Sequence, residues 1–208
     1  MKKEIVPAII VENQKGLDAA IMRVKSHVSI IQLDIMDGKF VPTHSIDFGF
    51  KVPKTSCKIE AHLMVADPEG WMNKHTDKVD LILAPIESSK DPEKIIKLAK
   101  SKGKQIGFVL NPKTPLDKVK PYLEKVDQIL IMTVNPGYYG SPFLPETLKK
   151  VKELRKLKPN LNIEVDGGIK PGTIEKAAEA GANLFVSGSY VVKADDVKKA
   201  VENLKNLI

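Results

Sequence analysis

The chain has 208 residues, 42% of them hydrophobic and 28% charged, which is enough for one well-buried core. Frequent Val, Ile and Leu exclude disorder, the single cysteine, Cys57, excludes a disulfide framework or a CxxC site, and the longest apolar stretch, 5–11, is far too short to span a membrane. The formal net charge is +7, but only Arg23 and Arg155 among the 33 basic residues are arginine, and the lysines interleave with glutamate at helical spacing, which describes a solvated surface and argues against a nucleic-acid face.

These properties predict a soluble cytoplasmic protein with neither nucleic-acid nor membrane partners. Along the chain, short β-branched runs alternate with amphipathic Lys/Glu-rich stretches. The first two runs are 5–11 and 30–35, and the third is 58–64. Asp67-Pro68-Glu69 then reads as a helix start: a capping side chain, a proline that needs no N–H, and an acid in the first turn. Run 81–85 follows, and Asp91-Pro92-Glu93 repeats the start signal for a helix closing at Gly103. Runs 105–110, 128–133 and 162–166 come next, then a helix opened by Thr173 and ended by Gly181, and finally run 184–187. Runs such as Ile129-Leu130-Ile131-Met132 are apolar without alternation, as parallel strands covered on both faces must be. Eight units averaging 26 residues account for the whole length, and no linker interrupts them. The expected fold is a single-domain (β/α)₈ barrel over 1–208, with an open doubly wound sheet as the competitor; the absence of a Gly-rich dinucleotide loop after the first run favours the barrel.

In such a barrel the site lies at the C-terminal ends of the strands. Alternation that turns Asp34 inward also turns Gln32 and Met36 inward and sends Leu33 and Ile35 out against the helices. An inward carboxylate is costly unless it is paired, bound to metal or used in chemistry, and Asp166 is in the same position on the seventh strand. Two inward carboxylates across one pocket suit removal of a proton from one face of a substrate and its return to the other. Asp37, in contrast, reads as a turn residue. Glycines after the sixth, seventh and eighth strands leave bare backbone N–H groups that suit a phosphate.

The strings Asp34-Ile-Met-Asp-Gly-Lys-Phe-Val-Pro, Ala61-His-Leu-Met-Val, Met132-Thr-Val-Asn-Pro-Gly and Val165-Asp-Gly-Gly-Ile, with Ala180-Gly-Ala and Ser187-Gly-Ser, resemble ribulose-phosphate 3-epimerases from Pro7 to about Ala194. The resemblance implies a (β/α)₈ TIM barrel of the ribulose-phosphate-binding type that interconverts ribulose 5-phosphate and xylulose 5-phosphate. It assigns the two acid/bases to Asp34 and Asp166, working through an enediolate held by one divalent metal (manganese, magnesium, iron or zinc), and puts the ligands at Gln32, Asp34, His62 and Asp166. The phosphate and substrate positions fall at Ala8, Met36, Gly137, Tyr138, Tyr139, Gly140, Gly167, Gly168, Gly188 and Ser189.

The chain also departs from the family pattern. Gln32 stands where the family has His, Ala8 where it usually has Ser, Pro85 where a His is usual, and Tyr139 where a loop glycine is expected, while His44 arrives in a loop that is two residues longer. The implied partner is a phosphorylated ketose, and a homo-oligomer is compatible with the sequence. Two alternatives stay open: an epimerase of another ketose phosphate such as a hexulose 6-phosphate, and a phosphosugar-binding homologue that has lost catalysis. Related decarboxylases and hexulose-phosphate synthases use Asp-x-Lys-x-x-Asp, and no Lys lies between Asp34 and Asp37.

Overall fold

The computed structural model describes residues 1–137 and 140–208; Tyr138 and Tyr139 of the expected phosphate loop lie outside the described residues. The strands are β1 (Glu4–Val6), β2 (Ala8–Ile9), β3 (Ile30–Asp37), β4 (His44–Ser45), β5 (Lys58–Met64), β6 (Leu81–Pro85), β7 (Gln105–Leu110), β8 (Gln128–Met132), β9 (Asn162–Asp166) and β10 (Leu184–Val186). Between them run the helices α1 (Gln14–Val24), α2 (Pro68–His75), α3 (Pro92–Ser101), α4 (Leu148–Leu157) and α5 (Ile174–Ala180), and α6 (Ser189–Val192) and α7 (Val197–Lys205) follow the last strand.

The first expected strand is broken in two at Pro7, because proline offers no N–H to a ladder. Its carbonyl is still used, accepting from Gln32 N at 3.0 Å. The halves take different neighbours: β1 pairs in parallel with β10, and β2 pairs in parallel with β3. The sheet order β1-β10-β9-β8-β7-β6-β5-β3-β2 therefore returns to the strand it started from, which makes a closed parallel barrel. β4 adds a short antiparallel partner at the end of β3.

Helix starts follow the sequence signals. Asp67 and Asp91 accept from Gly70 N and Lys94 N, with Pro68 and Pro92 in the first turns. α5 ends on Gly181 at φ +107, a left-handed position that suits glycine. The fifth unit differs from the expected alternation. Between β7 and β8 the chain makes two 3₁₀ turns, Leu116–Lys118 and Lys120–Tyr122, in place of a helix, because Pro115 and Pro121 interrupt any run of amide donors.

The outward sides of the strands and the inner faces of the helices form one large apolar cluster that includes Leu33, Ile35, Ile82, Ile95, Ile96, Phe108, Ile163 and Phe185. Each fully buried side chain of this kind contributes about 1.5–3 kcal/mol. Inside the barrel, apolar fill includes one sector of Leu81, Leu83, Val109, Leu130 and Met132, another of Val6, Ala8, Leu184 and Val186, and Met36 and Met64 near the C-terminal ends. Among them are buried the polar side chains Gln32, Asp34, Glu60, His62, Gln128 and Glu164. Among the described residues no helix is long and apolar enough to cross a membrane.

Candidate active site

A cavity of about 510 Å³ is lined by side chains at the C-terminal ends of the strands. It collects Ala8, Asp34, Met36, His62, Gly137, Gly140, Asp166, Gly167, Gly168, Gly188 and Ser189 around one space. Gln32 lies beneath that lining, fully buried. Asp37 is not part of it: its carboxylate accepts from Lys39 N and Phe40 N at 2.9 Å and from Ala66 N at 2.8 Å. Burial works against its charge, but these backbone donors outweigh it and hold Asp37 below the usual carboxylate range.

The register of β3 and β5 sets Asp34 beside His62, and β9 brings Asp166 to the same depth. His62 Nδ1 lies 3.3 Å from Asp34 Oδ1 and 3.3 Å from Asp166 Oδ2. Gln32 Nε2 donates to the same two oxygens, at 2.8 Å each, and sits 3.5 Å from His62 Nδ1. One amide and one imidazole thus draw two carboxylates together in a site almost closed to solvent. Burial pushes Asp34 up; its hydrogen bond with His62 opposes that, and the Asp166 charge adds to it, leaving Asp34 above its ordinary value. Burial also works against a charged His62, yet the hydrogen bonds and charges of Asp166 and Asp34 prevail and raise it to about 9.

The donor set fits a divalent cation. Ligand atoms of Asp34, His62 and Asp166 lie within 4.8 Å of one another, and two carboxylates with one imidazole suit manganese, magnesium, iron or zinc. Gln32 presents an N–H donor to the site in the observed orientation, and its Oε1 is buried without a hydrogen-bond partner.

Several features were not read from the sequence. Thr43 Oγ1 donates to the Gly137 carbonyl at 3.0 Å, tying the loop after β3 to the loop after β8 across the cavity mouth. Contacts 94 residues apart leave no local signal. Lys170 and Glu12 sit exposed on the cavity rim; His44, which the sequence did single out in the longer loop, is carried there by β4, 3.4 Å from Asp47. Below the site, Glu60, Gln128 and Glu164 form a second polar layer, with Gln128 Nε2 donating to Glu164 Oε2 at 2.6 Å. That layer had a sequence signal: Glu60 precedes His62 by two positions and Glu164 precedes Asp166 by two, just as Gln32 precedes Asp34.

Known proteins share both the sequence pattern and the barrel. The sequence model described as the Ribulose-phosphate 3 epimerase family matches residues 4–192. A ribulose-phosphate 3-epimerase of Schizosaccharomyces pombe is 35% identical over 100% of this chain and 95% of its own length. One from Methanocaldococcus jannaschii is 39% identical over 86% of this chain and 79% of its own. Among solved structures, a 3-hexulose-6-phosphate synthase from Salmonella typhimurium aligns with a TM-score of 0.69 at 14% identity, over 98% of this chain and 97% of that one, a likeness of fold alone.

Proposed function

The chain belongs to the ribulose-phosphate 3-epimerase family of isomerases, and from that premise we propose that it interconverts D-ribulose 5-phosphate and D-xylulose 5-phosphate, with Asp34 and Asp166 as the two proton carriers. The observation that carries this reading is the pair of carboxylates held by one amide at 2.8 Å each inside a cavity bordered by three glycine loops. Epimerisation at C3 needs a base on one face and an acid on the other. One carboxylate removes the C3 proton, the electron pair moves toward the neighbouring carbonyl to give an enediolate, and the second carboxyl group delivers a proton to the opposite face.

The glycine loops after β8, β9 and β10 suit the phosphate, since backbone N–H groups approach an anion closely where no side chain intervenes. Lys170 on the rim adds favourable charge. A divalent cation held by Asp34, His62 and Asp166 would supply positive charge where the substrate oxygens become negative. A cytoplasmic place in pentose phosphate metabolism accords with the lone buried thiol of Cys57.

The test is proton NMR of ribulose 5-phosphate with the purified protein in D₂O, with manganese and with a chelator in parallel. The reading expects xylulose 5-phosphate to appear carrying one deuterium at C3. Ribulose 5-phosphate left unchanged under both conditions would overturn it.

A further inference from the structure

Gln32 stands where two carboxylates most need a partner, and it answers them as a donor. It is fully buried on β3, one layer below Asp34, and its Nε2 reaches Asp34 Oδ1 and Asp166 Oδ2 at 2.8 Å each. Both N–H bonds of the amide are thereby used. The other half of the group gains nothing, because Oε1 is buried and unpartnered. An orphaned amide oxygen is costly, so the orientation must be held by what the N–H groups gain from the carboxylates. Turning the amide over would set Oε1 against the two carboxylate oxygens, an acceptor against acceptors.

The two oxygens that Gln32 engages, Asp34 Oδ1 and Asp166 Oδ2, are also those nearest to His62 Nδ1. Asp34, His62 and Asp166 are also the residues whose ligand atoms gather within 4.8 Å of one another. A cation drawing on the same two oxygens would compete with the N–H donors for their lone pairs.

We infer that Gln32 is an internal clasp that competes with a divalent cation for Asp34 and Asp166. The clasp keeps the two carboxylates converged when no cation is bound, and a cation must displace its N–H groups to enter. Gln32 is in this sense a positioning residue for the carboxylate pair and an antagonist of cation binding. The inference rests on the reading of Asp34, His62 and Asp166 as a cation site.

The opposite role, a ligand through Oε1, predicts the opposite outcome, which makes the two separable. The experiment titrates manganese into chelator-stripped protein by calorimetry at pH 8, comparing the unmodified chain with Gln32→Leu and Gln32→His. Removing both donors is expected to tighten manganese binding in Gln32→Leu by about tenfold, the value of hydrogen bonds to charged groups. The same variant, in chelator, is expected to melt several degrees lower, because its carboxylates then face each other without a donor. Should Gln32→Leu fail to fold, Gln32→Met, which matches the length without N–H groups, is read in the same way. Weaker or unchanged manganese binding in the donor-free variants overturns the clasp while leaving the cation site standing. No binding in any protein, Gln32→His included, overturns both.

Discussion

Two pairs of carboxylates lie inside this barrel, one layer apart, and they are treated in opposite ways. The upper pair, Asp34 and Asp166, borders the cavity and is surrounded by donors: the amide of Gln32 and the ring of His62. The lower pair, Glu60 and Glu164, is fully buried, and Gln128 supplies one N–H to Glu164 alone. Both oxygens of Glu60 and Oε1 of Glu164 lack a donor among the described side chains. Burial pushes both glutamates up, and for Glu164, which goes well above the usual range, the Glu60 charge adds to the effect. The contrast teaches that carboxylates of one chemistry diverge with their surroundings. Those given donors border the cavity, whereas those sealed with few donors are pushed above the usual carboxylate range and lie beneath it.

The largest effect that sharpens this contrast belongs to the upper pair. Asp34→Asn and Asp166→Asn each remove one proton carrier, and turnover is expected to fall about 10²–10⁴-fold with the fold intact. Initial rates and circular dichroism on the same preparations check both halves of that statement. Near-normal turnover in either variant would break the distinction between the layers.

The phosphate end gives the next effect. A side chain at Gly188 meets only Ala8, at 3.8 Å, and the backbone there is not left-handed, so Gly188→Ala leaves the protein comfortable and fills the anion's space. The expected loss in kcat/KM is about tenfold to a hundredfold, the value of one displaced charged hydrogen bond. Gly168 is a poorer place for the test, because its φ of +66 penalises any side chain regardless of ligand. Unchanged kinetics in Gly188→Ala would remove the loop after β10 from the phosphate site.

The smallest effect is on stability and tests the lower pair. A carboxyl group whose folded value is raised binds its proton more tightly folded than unfolded, so its contribution is present at low pH and is lost as pH rises. Glu60→Gln replaces one carboxyl group by an amide that donates to Glu164 at every pH. It is expected to raise stability by about 1 kcal/mol, with the gain growing between pH 5 and 9 as seen in denaturant melts. A variant that is less stable across that range would show that Glu60 is not short of a donor.

Much of the architecture was legible because buried parallel strands announce themselves as short β-branched runs. β5, β6, β7 and β9 have the bounds read from sequence, and the break at Pro7 follows from its missing N–H. The missing fifth helix was legible in principle, since Pro115 and Pro121 bracket too few donors for one. Asp34 and Asp166 were found by their places at strand ends and His62 by the family resemblance, and the three do meet in one cavity. Alternation applied one step further down would have found Glu60 and Glu164. The donor role of Gln32 was not legible: its residue type allows an amide to donate or accept, and only the neighbouring carboxylates decide which. The tie between Thr43 and Gly137 was hidden for another reason, because it joins loops that only barrel closure brings together.

The central claim is that Asp34 and Asp166 serve opposite faces of one carbon. The most direct measurement follows deuterium at C3 by NMR in D₂O for Asp34→Asn and Asp166→Asn, each supplied separately with ribulose 5-phosphate and with xylulose 5-phosphate. Each variant retains one carboxylate, so one is expected to exchange deuterium into ribulose 5-phosphate and the other into xylulose 5-phosphate, neither converting one sugar to the other at more than a trace. Exchange of the same sugar by both variants, or into both sugars by either one, would contradict the account.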